Sequence, residues 1–98
     1  DMAVYARKTF GMFTGEETTV HLRFEKDMVG PVLDRLGRDV MLIPDGEEHF
    51  TVRTDVVVSP QFFAWIFGFA GKAQILGPET VVKAMKEQIE RVSESICP

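Results

Sequence analysis

An α+β domain built on a four-stranded antiparallel sheet is what this 98-residue chain predicts. Three observations lead there. Runs with strand periodicity alternate with runs of helical periodicity, and the changes of period fall at Gly and Pro punctuation. The Pro44-Asp45-Gly46 sequence has the chemistry of a tight turn and folds two strand runs into a hairpin. The length suits one domain with a single core, which buries ~60–65% of the surface that the unfolded chain exposes.

Residues 1–10, DMAVYARKTF, have the pattern of a short amphipathic helix, and the Gly-containing GMFTGEE that follows reads as a connector. From Glu17 to Glu25, ETTVHLRFE alternates strictly. Thr18, Val20, Leu22 and Phe24 point one way and Thr19, His21 and Arg23 the other, as in a half-buried strand. In DMVGPVLDRLG, Asp27 is the expected N-cap, Val29, Val32, Leu33 and Leu36 form one stripe, Pro31 falls in the first turn, and Gly37 stops the helix. DVMLIP is the second strand. In the third, Phe50, Val52, Thr54, Val56 and Val58 share a face opposite Thr51, Arg53 and Asp55.

Ser59 and Pro60 then stand at the N-cap and N1 of a helix that contains QFFAWIFGFA, residues 61–70, where the aromatic residues concentrate. KAQIL is a short fourth strand. The last element, GPETVVKAMKEQIERVSESI, is a helix led by Pro78 with Val82, Met85, Ile89, Val92 and Ile96 on one stripe. Glu87 and Arg91 are spaced to pair across one of its turns. The order β-α-β-β-α-β plus a C-terminal helix is the ferredoxin-like arrangement, with strands one and three central and the helices on one face.

In that arrangement Phe62, Trp65 or Ile66, and Phe69 pack on the sheet, because large aromatics at helical spacing are mostly core. Phe63 and Phe67 lie off that stripe. They meet either the N-terminal TFGMF segment and the last helix, or a partner. In DVMLIP both alternating faces are apolar, so one pair, Val40 with Leu42 or Met41 with Ile43, falls on the open side of the sheet together with Val57. A solvated face is normally polar there, so part of it is expected to be covered by the last helix, a second subunit or another domain.

The segments VHLRF, VLDRLGRDVMLIPDGEEHFTVRTDV and SPQFFAWIFGFAGKAQILGPETVVKAMKEQI together resemble the C-terminal extension, WCX, of WYL-domain bacterial transcriptional regulators. The most telling pieces are the WI-x-G-F pattern from Trp65 to Phe69, the AQILGP that follows, and the final helix. The resemblance covers roughly residues 17–96. It implies a ferredoxin-like domain over 17–98, with residues 1–16 as a lead-in from a preceding barrel domain. Such regulators also carry a helix-turn-helix domain and a WYL barrel, so duplex DNA is expected to be bound only through a domain outside this chain. The Trp-Tyr-Leu tripeptide does not occur here, and the barrel's ligand residues have no counterparts to carry over.

Composition narrows function. A hydrophobic content of 45% with 27% charged residues excludes wholesale disorder. The longest apolar run is far short of the ~20 residues a membrane span needs. The formal net charge of −4 argues against a generic electrostatic grip on nucleic acid. The lone cysteine, Cys97, can close no internal disulfide, which fits a reducing, cytoplasmic setting.

His21 and His49 are the only histidines and have no companions at metal-ligand spacing. The glycines of GFAG follow a helix and precede a strand, the reverse of a phosphate loop. No enzyme, catalytic residue, metal or cofactor is therefore expected. His21 and Arg23 stand beside Thr51 and Arg53 on the open face, a small basic cluster that is either solvated and paired with Asp55 or Glu25, or suited to an anion.

Two functions follow as expectations. One is a homodimerisation module whose interface is Phe63, Phe67 and Val57 with the apolar pair of strand two. The other, implied by the resemblance, is a regulatory surface on which His21, Arg23 and Arg53 contact a nucleotide or single-stranded nucleic-acid effector. A purely structural protein–protein interaction domain without a ligand is the alternative.

Overall fold

The structure, a computed structural model, describes residues 17–97. The expected N-terminal helix and connector lie outside the described residues. Strand β1 runs Glu17–Glu25, helix α1 Val29–Leu36, β2 Leu42–Asp45, β3 His49–Val57, α2 Pro60–Phe67, β4 Ala73–Gly77 and α3 Glu79–Ile96. All neighbours pair antiparallel in the order β2-β3-β1-β4, with β1 and β3 central. The expected α+β, ferredoxin-like sheet with a C-terminal helix is what the chain adopts.

Strict alternation in β1 and β3 directs Val20, Leu22, Phe24, Phe50, Val52 and Val56 to one face, where all six are buried. Val32 and Leu36 of α1, and Phe62, Phe63 and Ile66 of α2, close the core over them. The aromatic residues converge on Phe24. Its ring stacks on Phe50 at 5.5 Å, meets Phe69 edge-on at 5.2 Å and lies 5.9 Å from Trp65. Such pairs add about 0.5–1.5 kcal/mol each beyond area burial. Most of the aromatic concentration in residues 61–70 is therefore core.

The ends of the elements show where local chemistry decides. Ser59 caps α2, its Oγ accepting from the Phe62 amide at 3.3 Å, and Pro60 takes the first helical position. Gly37 ends α1 with a φ of 91°, which disfavours any side chain. Asp27 does not cap α1. It sits within a 3-10 turn, Lys26–Met28, so the helix begins later, after Met28, without a side-chain cap, and Asp27 instead pairs with Lys72 at 3.3 Å.

Strand β2 is shorter than expected. It starts at Leu42 and retains Pro44 and Asp45, because Pro44 needs no ladder donor at a sheet edge. The turn is carried by Gly46, with a φ of 75°, through Glu48.

Helix α3 anchors through Val81, buried beside the core, with Ala84 and Met85 packed against it. It lies along β4 and α2, on the helical side of the sheet, so it does not cover the open face. Arg91 donates to Gln88 at 3.1 Å, one turn back, where the spacing had suggested Glu87.

Candidate functional site

The fold leaves two surfaces with unsatisfied character, one on each side of the sheet. On the helical side, α2 turns Pro60, Phe63, Ala64 and Phe67 toward α3, at the i, i+3, i+4, i+7 spacing of one helical face. Helix α3 answers with Met85, Ile89, Val92 and Ile96. Between them runs a groove of about 510 Å³ whose polar lining is confined to Gln88, Ser93 and Cys97. Phe67 is 68% exposed and Ile96 69% exposed, although both belong to apolar stripes. Exposed large apolar residues that are contiguous, rather than scattered, mark interaction sites.

On the open face, alternation sets out Thr19, His21, Arg23 and Glu25 from β1 beside Asp55, Arg53, Thr51 and His49 of β3. His21 faces Arg53 in register. The two arginines have different environments. Arg23 Nε lies 3.0 Å from Asp45 Oδ2, an ion pair by distance in which the N–H is not aligned on the oxygen. Its Nη2 is 3.4 Å from His49 Nδ1. The sequence pointed to Asp55 or Glu25 as partners, but Asp55 accepts a hydrogen bond from the Thr19 hydroxyl. Arg53 is exposed, and no ion pair or hydrogen bond of its side chain is found among the described residues.

At the rim of this face stand the exposed Met41, Ile43 and Leu76. The expectation that one apolar pair of the second strand faces outward holds. Leu42 and Val40 pack on the core, while Met41 and Ile43 remain exposed.

The expected site residues thus separate. Phe63 and Phe67 come together in the groove. Val57 does not join them, because alternation after Val56 turns it away from the core helices, and it is itself only 3% exposed. Ile43 and Met41 are likewise remote from the groove, since only the helices line it. His21 and Arg53 are cross-strand neighbours, whereas Arg23 is drawn toward β2.

Ile89, Val92 and Ile96 are legible in the sequence as a stripe, but the side to which the stripe turns is not. They stand at the surface because the residues of α3 that pack on the core end at Met85, while the helix runs on to Ile96.

No group of three or more His, Cys, Asp or Glu side chains suited to a metal ion occurs among the described residues. Nor is any described helix long and apolar enough to cross a membrane. The WCX domain family model matches residues 16–93. No curated protein matches the chain.

Proposed function

The chain belongs to the WCX domain family, a WYL-associated regulatory module, and from that premise we propose that it serves a WYL-family DNA-binding transcriptional regulator by non-covalent interaction, principally self-association, rather than by catalysis. The observation that carries this reading is the apolar groove between α2 and α3, with Phe67, Ile89, Val92 and Ile96 exposed along it. Burying such side chains against a partner removes apolar area from water at about 25 cal/mol per Å². A homodimer built this way would fix the relative placement of the domains to which the module is attached. Multi-angle light scattering of the chain over a wide concentration range tests it. A rising weight-average mass is expected, and a constant monomer mass would overturn it.

The second reading, effector sensing, is favoured by Arg53, an exposed cation without a partner among the described residues, next to His21 on the sheet face opposite the helices. An anionic ligand, a nucleotide or a single strand, meets a guanidinium there that needs no prior ion pair broken. No Phe, Tyr or Trp stands among the outward positions of β1 and β3, which favours phosphate contact over extensive base stacking. Fluorescence anisotropy of a labelled single-stranded oligonucleotide is the assay, and equal signals from the wild-type chain and Arg53→Ala would remove the reading. Ligand and dimer are compatible functions, since a ligand that prefers one assembly shifts the population toward it.

A further inference from the structure

Along α3 the residues Val82, Met85, Ile89, Val92 and Ile96 succeed one another at steps of three, four, three and four. That is the 3.5-residue period of a seam between two helices packed side by side. The first half of α3 is engaged within the domain, through Val81, Ala84 and Met85. The second half is not: Ile89 is 43% exposed and Val92 39%. The seam and the face engaged within the domain share Met85, and beyond it the seam stands open at Ile89, Val92 and Ile96. Beside the free half, α2 presents a second helical face with Phe63 and Phe67. Two helical faces side by side form a groove whose matching occupant is a third helix.

The margins of the seam indicate which helix. In heptad geometry the positions beside Ile89, Val92 and Ile96 are Gln88, Ser93 and Ser95, all uncharged, and Lys86 is the nearest charge. Glu87, Glu90, Arg91 and Glu94 project from the opposite side of the helix. A charged foreign helix would meet no complementary charge at these margins. An identical helix meets no like charge there.

We propose that the groove takes the C-terminal half of α3 from a second copy of this chain. The contact is isologous, each copy placing its Ile89, Val92 and Ile96 against the partner's seam and beside the partner's α2. Two helices from each copy then form a four-helix layer. The proposal rests on the reading that the chain self-associates and specifies the surface by which it does so.

Sedimentation velocity over a concentration series, on the wild-type 98-residue chain and two double variants, tests it. Ile89→Glu/Ile96→Glu places carboxylates in the seam at two exposed positions, so folding is retained and is checked by Trp65 fluorescence. Met41→Glu/Ile43→Glu does the same on the opposite side of the sheet. The expected result is a dimer whose dissociation constant rises roughly 30-fold or more in the first variant and stays unchanged in the second. Gln88→Lys, which leaves the apolar seam intact, is expected to weaken the dimer in a way that added salt relieves. A dimer indifferent to the seam substitutions overturns the inference and leaves the reading of self-association standing. A chain that is monomeric throughout overturns both.

Discussion

Arg53→Ala and Arg23→Ala are predicted to differ in their effect on single-strand binding, although both remove one arginine from the same sheet face. Each phosphate neutralised on a single strand contributes ~0.7 to the slope of log affinity against log salt. Arg53 brings an uncompensated charge, whereas Arg23 is already held 3.0 Å from the Asp45 carboxylate. One effective cation corresponds to a loss of about 2.6-fold in affinity between 50 and 200 mM salt. Arg53→Ala should abolish most of that dependence, and Arg23→Ala should leave it nearly intact.

Asp45→Asn supplies the converse perturbation. It frees Arg23, brings the count to two, and should tighten binding while steepening the loss to about 7-fold over the same salt range. Anisotropy titrations of a labelled oligonucleotide at the two salt concentrations read all three variants. Equal losses from the two arginine substitutions, or an Asp45→Asn protein that binds no better, would refute the argument that the Asp45 pair withholds Arg23 from ligand.

Two further predictions concern the scaffold that holds the sites. Thr54 turns into the core between Val52 and Val56, and its hydroxyl is buried without a hydrogen-bond partner among the described residues. Thr54→Val replaces that hydroxyl with a methyl of like shape and should stabilise the fold by ~1 kcal/mol, seen as a rise of about 4–8 °C in Tm by thermal unfolding. A fall in Tm would mean that the hydroxyl has a partner. Phe24→Ala removes the ring on which Phe50, Trp65 and Phe69 converge and should cost about 3–5 kcal/mol by urea unfolding, a large part of the ~5–15 kcal/mol that such domains have. A cost under about 1 kcal/mol would place the core elsewhere.

How much of this was legible in the sequence follows from the range of the forces involved. The alternation of Val20, Leu22 and Phe24 against His21 and Arg23 is a local pattern, and so are the Ser59-Pro60 start of α2 and the Gly37 stop of α1. All three appear in the structure where the pattern puts them. The ferredoxin-like order follows from those elements and the handedness of their connections.

What could not be read depends on contacts across the chain. Asp27 is an acceptable N-cap by type, but Lys72, far along the chain, draws it into an ion pair instead. The partner of Arg23 is Asp45 rather than Asp55, because the hairpin brings the end of β2 within its reach. Phe63, Phe67 and Val57 are all apolar residues off the main stripe, and only the path of α3 shows that the first two share a groove and the third does not. The stripe on α3 was visible, but not that the contacts of the helix with the core end at Met85 and leave Ile89, Val92 and Ile96 exposed.

The central claim is that the module works through the groove between α2 and α3. Isotope-filtered NOE spectroscopy on a mixture of labelled and unlabelled chain tests it most directly, since it registers only contacts between copies. The account predicts intermolecular contacts joining the methyl groups of Ile89, Val92 and Ile96 to one another and to the Phe67 ring. Contacts confined to Met41, Ile43 and Val57, or no intermolecular contacts at concentrations where mass rises, would contradict it.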